Sequence, residues 1–211
     1  MRQILLPFLM LALSAASPTP DPEDARRPIP ASFYRLAAAV PLPGKAPDWD
    51  YLAYDSAHEH LFIARRGAGL WVFDTRRQQL IRRIAKTEGA GATLLLPQLG
   101  RGFSINEDGS ATVFNLATLM PLGRLKFGDD ADAASYDPVT GRIAIVSADS
   151  QQVILVEARS LKIVGRVALT TKKADASVGD GAGHILLNER DRGDHGRMAD
   201  NRMQPTYWSR L

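Results

Sequence analysis

No cysteine occurs among the 211 residues, so the chain has neither disulfides nor thiolate nucleophiles. An oxidising compartment is permitted, but no disulfide can help to stabilise the fold there. Long apolar runs are missing as well. The run from Ile4 to Leu13 falls short of the roughly 20 residues that a membrane-spanning helix needs. Charge of one sign is also lacking: 26 Lys+Arg against 23 Asp+Glu leave a formal charge of +3. That excess is too small to make nucleic acid an expected partner, and the pairs Arg65-Arg66, Arg76-Arg77 and Arg82-Arg83 read as solvated turns and strand edges. Helical spacing is not sustained anywhere in the central region, and G-x-S-x-G, P-loop and H-E-x-x-H motifs are all absent. Nothing therefore assigns a nucleophile or a general acid and base, and the catalytic residues are unknown.

What is present begins with Arg2, the short apolar run and the small residues Ser14, Ala15, Ala16 and Ser17. This is the arrangement of a secretory signal peptide over residues 1–17. The expectation is an exported protein, periplasmic or secreted, with no membrane span after cleavage. Residues 18–32, which include PTPDPEDARRPIP, are rich in Pro and charge and read as a flexible lead-in. The folded part is expected over residues 33–192.

That part counts in a unit of about 42 residues. WVFDTRRQQLIRRI (71–84), TVFNLATLMPLGRL (112–125) and ILVEARSLKIVGRV (154–167) align without a gap at offsets of 41 and 42. Each has a strand, a polar Asp74, Asn115 or Glu157, a turn, and a second strand ending in a basic and then an aliphatic residue. A second half-unit repeats too: Asp50 and Asp55, Asp132 and Asp137, and Asp175 and Asp180 each bracket a short segment. A turn and the strands HLFIA (60–64), RIAIVS (142–147) and HILLN (184–188) follow. In the second copy GATLLLPQLG (91–100) replaces the bracketed segment, and GFSIN (102–106) keeps the beat. Four antiparallel strands, a to d, in a unit of this length make the blade of a β-propeller. A β-sandwich, the main competitor, has no reason to repeat internally.

The motif carried by Tyr136, Asp137, Pro138, Gly141 and Arg142, with the Asp74, Asn115 and Glu157 positions, resembles the YVTN-type repeat of secreted, YncE-like seven-bladed propellers. The resemblance covers residues 33 to about 190. It implies an all-β fold and a bacterial periplasmic setting, and says little about function because these residues build blades. Seven units would need roughly 300 residues of repeat, whereas three and a half are present here. FYRLAAAVPL (33–42) reads as a strand d with no blade of its own, and residues 193–211 show neither alternation nor the Asp74-like turn position. That tail reads as disordered or as the product of a frameshift after Arg192; a half-propeller that dimerises is the other reading. An incomplete propeller is thus the expected fold, with self-association through open blade edges.

In such a fold the strand a residues line the central channel, and the loops leading into strand a surround its mouth. Those loops supply the ligand-binding candidates Lys45, Asp48, Trp49, Asp50, Asp129, Asp130, Asp132, Lys172, Lys173 and Asp175. Asp50, Asp132 and Asp175 recur at one blade position, which favours a structural bond to backbone N–H groups. Asp48 and Trp49 do not recur and are better placed to confer specificity. GDDAD (128–132) lacks the ligand pattern of an EF-hand, and His58 and His60 read as a surface turn, so neither metal nor cofactor is expected. The function this supports is a scaffold binding a small molecule or a protein, or a truncated copy that has lost that function. The alternative is a fragment of a propeller enzyme, lactonase-like or redox, with its site at the channel mouth.

Overall fold

The structure, a computed structural model, describes residues 36–44, 48–170, 172, 174, 176–187 and 206–207. The chain divides into two units, Met1–Ala39 and Val40–Leu211, and the second holds every strand of the described residues. Three four-stranded antiparallel sheets follow one another: β1 to β4 (Leu52–Asp55, His60–Ala64, Leu70–Asp74, Gln79–Arg83), β5 to β8 (Ala90–Leu96, Arg101–Asn106, Ser110–Asn115, Pro121–Lys126) and β9 to β12 (Ala133–Asp137, Arg142–Ser147, Gln152–Glu157, Ile163–Ala168). A fourth sheet holds β13 (Ser177–Gly179), β14 (Ile185–Leu187) and β15 (Thr206–Tyr207). In each sheet the strands pair in chain order. The innermost strands β1, β5, β9 and β13 lie one against the next. This is an incomplete β-propeller of four-stranded blades.

Alternation along the middle strands explains how the blades stack. In β10 and β11, Ile143, Ile145, Ile154 and Val156 face the second blade, while Ala144, Val146, Val153 and Leu155 face the fourth. Both faces are buried, so residues 143–146 and 153–156 are all apolar although the pattern still has period two. The first and second blades meet through Phe62, Leu70, Val72, Phe114 and Leu116, where the Phe62 and Phe114 rings lie 5.4 Å apart. The outer strands β4, β8 and β12 are mostly exposed. Each is offset from its neighbour by a bulge, leaving Ile81, Leu122 and Val164 without a cross-strand partner. Such bulges twist an edge away from further pairing.

The repeated polar residues build the turns. Asp137 accepts hydrogen bonds from the amides of Val139 and Thr140 and from the Thr140 hydroxyl. Asp55 and Asp180 do the same for Ala57 N–H and Ala182 N–H. In the c–d turns Asp74, Asn115 and Glu157 accept from Arg77, Thr118 and Ser160 N–H. The a–b turn then needs a left-handed residue, supplied by Gly100, Gly141 and Gly183 and, in the first blade, by Glu59 at φ 56°. The basic residue near the end of strand d ties blade to blade: Arg124 donates to Lys86 O and Arg166 to Phe127 O, one repeat apart.

The irregular second copy still builds its inner strand, and one other sequence expectation comes out differently. In the degenerate second copy Ala90–Leu96 forms a seven-residue strand a, β5, followed by a 3-10 turn at Pro97–Leu99, because inter-blade burial requires apolar residues there and not the bracketing Asp. Residues 36–42, read as part of a strand d, belong to no sheet, since an edge strand forms only against a partner edge. Of the tail, Thr206–Tyr207 pair with β14 as a third strand; residues 193–205 and 208–211 lie outside the described residues.

Candidate functional site

The starts of β1, β5 and β9 converge on an open cleft of about 300 Å³ lined by Asp50, Tyr51, Arg66, Gly91, Glu107 and Asp132. Arg66 is its centre. Its Nη2 lies 2.7 Å from Asp50 Oδ2 and its Nη1 3.2 Å from Glu107 Oε2, which joins the first blade to the second by charge. Burial works against the guanidinium, but Asp50, Glu107 and the nearby Asp48 hold its pKa above the ordinary arginine value. The Tyr51 amide donates to Gly91 O across the blade boundary at 3.2 Å. With carboxylates outnumbering the arginine, the cleft favours hydrogen-bond donors and cationic groups in a ligand.

The sequence candidates separate here. Asp50 and Asp132 share the cleft but serve different ends: Asp50 pairs with Arg66, while Asp132 accepts from Ala148 N–H at 2.9 Å in the structural manner their recurrence suggested. Asp130 turns inward. It accepts from Ser147 Oγ (2.5 Å), Ser150 Oγ (2.6 Å) and Asp149 N–H (2.8 Å), and although burial alone would raise its pKa, these bonds bring it below the usual carboxylate value. Asp48, Asp129 and Lys172 are exposed. Lys45, Lys173 and Asp175 lie outside the described residues.

Trp49 has a structural partner that the sequence did not suggest. The Arg65 guanidinium, on a residue only 1% exposed, lies 5.0 Å from the ring centres of both Trp49 and Trp71 and donates to Pro43 O. A desolvated cation between two indoles gains about 2 kcal/mol or more. It fastens Pro43 and Trp49 to the outward face of the first blade. The pair Arg65-Arg66 is therefore no solvated turn: alternation sends Arg65 under the tryptophans and Arg66 into the cleft. Trp49 is still 53% exposed.

Arg66 and Glu107 were missed by sequence reasoning. They occupy one repeat column, which continues to Ala148, and a column that changes from cation to anion to methyl builds no blade. That irregularity is the signal that could have found them. Among the described residues, no group of three or more His, Asp or Glu is placed to hold a metal ion.

No family model matches the chain, and no curated protein matches it in sequence. Solved structures do. It is similar to Kuenenia stuttgartiensis hydrazine synthase, with 13% identity and a TM-score of 0.57 over 74% of this chain and 48% of that one. It is also similar to the β-propeller domain of Myceliophteria thermophila Cps50 (Swd1), with 10% identity and a TM-score of 0.57 over 68% of this chain and 50% of that one. The chain spans about half the length of each. At these identities the likeness concerns fold alone, and with the sheet topology it makes this chain a β-propeller.

Proposed function

We propose that this chain is a binding scaffold that takes a small molecule or a protein at the mouth of the propeller channel. The observation that carries the reading is the cleft of about 300 Å³ in which three successive blades place Asp50, Arg66, Glu107 and Asp132 around one opening. Asp48 and the exposed part of Trp49 are specificity elements in this reading, and Lys45, Asp129, Lys172, Lys173 and Asp175 remain part of the proposed mouth, with Asp130 bracing the loop from behind through Ser147 and Ser150. Membership of the YVTN-type, YncE-like propellers, a ring of seven blades, and export to the periplasm belong to the same proposal. They are supported by the Tyr136 to Arg142 motif and by the small residues after the first apolar run. Self-association through open blade edges is supported by the exposed Val178 on β13.

A thermal-shift screen of the purified chain against small organic amines, zwitterions and acids tests the binding claim. A compound that raises the melting temperature of the wild type, and does so less in Glu107→Gln and in Asp132→Asn, supports it. A panel without hits, or hits indifferent to both substitutions, contradicts it.

A further inference from the structure

Away from the mouth, the c–d turns of the first and second blades enclose a second open cleft, of about 600 Å³, lined in part by His60, Asp74, Arg77, Gln79, Arg82 and Thr118. Its charge has the opposite sense to the mouth. Asp74 has both carboxylate oxygens occupied within its own turn: Oδ1 accepts from Arg77 N–H at 2.7 Å and Oδ2 from Arg77 Nη1 at 3.0 Å. Arg82 has no carboxylate partner among the described residues. Among the described residues its side-chain hydrogen bond runs from Nη1 to the Met120 thioether at 3.4 Å. Sulfur is a weak acceptor, and an oxyanion would displace it readily.

His60 adds a donor that can become a charge. Its Nδ1 is buried with no hydrogen-bond partner, and a bare lone pair is less costly to bury than an N–H, so the neutral ring carries its proton on Nε2. Burial lowers its pKa first and the stacked His58, 5.7 Å away, lowers it further, while Asp55 and Asp74 act in the opposite sense. His58 itself is held by Asp55 Oδ2 at 2.7 Å. The titratable and charged groups around His60 are thus His58, Asp55, Asp74, Arg77 and Arg82, with no carboxylate left unengaged.

We infer that this inter-blade cleft is an oxyanion subsite, in which the Arg82 guanidinium and the His60 imidazole take a carboxylate or a phosphoryl group of a ligand. Bound anion would replace the Met120 sulfur on Arg82 and draw a proton onto His60. The turns on either side come from different blades, so occupancy would also bridge them.

The test is a ¹H–¹⁵N NMR titration of the full chain with sodium sulfate and with sodium acetate, each against sodium chloride at matched ionic strength. Sulfate keeps its charge across the range used. The expected result is saturable shifts at Gln79 and Thr118 for sulfate or acetate and not chloride, weakened about tenfold in Arg82→Gln. Affinity for sulfate should rise several-fold between about pH 8 and about pH 6 in the wild type and stay level in His60→Gln. Tighter sulfate than acetate would identify a phosphoryl-type ligand, and the reverse a carboxylate. Shifts no larger than those from chloride, or unchanged by Arg82→Gln, would overturn the inference.

Discussion

The turn carboxylates Asp74, Asp137, Glu157 and Asp180 all have pKa values held below those of free side chains. For Asp74 the main cause is the Arg77 amide, for Glu157 the Ser160 hydroxyl, and for Asp180 the Ala182 amide with His184 behind it. Burial opposes the shift at Asp137 and is outweighed by Thr140 and Val139. A carboxylate with a depressed folded pKa stabilises the fold above its unfolded value, and that contribution disappears as pH falls through the folded one. His60 acts higher on the scale. Its pKa is lowered from 6.5, so its neutral form supports the fold above that value, and support is lost as pH falls below it. The urea midpoint is therefore expected to dip slightly below about pH 6.5, a step absent from His60→Gln. It should then fall steeply from about pH 4 towards the Asp180 value of about 2. A midpoint level between pH 4 and 2 would remove the turn carboxylates from the account.

At the scale of strands and hairpins, the second blade contains a contact sharp enough to measure. Gly102 on β6 lies beneath the Phe114 ring of β7, and a Cβ there would run into the ring carbons. Phe114 in turn packs on Phe62 of the first blade, which leaves it little room to move. Gly102→Ala should cost about 1–3 kcal/mol by urea denaturation, and most of that cost should vanish in a Phe114→Leu background. Full additivity would mean that the ring does not sit there. These hairpins were also the most legible part of the sequence. Strand pairs such as β2 with β3 and β10 with β11 follow from alternation and from turn acids at fixed columns. Residues 36–42 misled because the same pattern appears where no edge accepts it. At the mouth, Asp50 and Asp132 were legible because they recur. Arg66 and Glu107 were not, because a charge that changes sign from blade to blade looks like surface noise until the blades are stacked. Trp49 was legible as a specificity candidate because it does not recur, but its contact with the Arg65 cation was not.

For the whole molecule, stability comes from one interface after another: the first blade on the second through Phe62 and Phe114, the second on the third through Phe103, Ile105, Ile143 and Ile154, and the third on the fourth through Val153, Leu155 and Leu187. Arrays of this kind hold local order wherever neighbours meet, and their stability is close to the sum of unit and interface contributions. The proposed sites follow from the stacking, since the mouth needs three inner strands side by side and the oxyanion cleft needs two outer turns from adjacent blades. The most direct test is a nuclear Overhauser experiment on selectively labelled protein, reading ring-to-ring contact between Phe62 and Phe114 and backbone contact between the Tyr51 amide and Gly91. The account predicts both, from rings 5.4 Å apart and an inter-blade hydrogen bond of 3.2 Å. Strong contacts within each sheet with neither of these between sheets would contradict it.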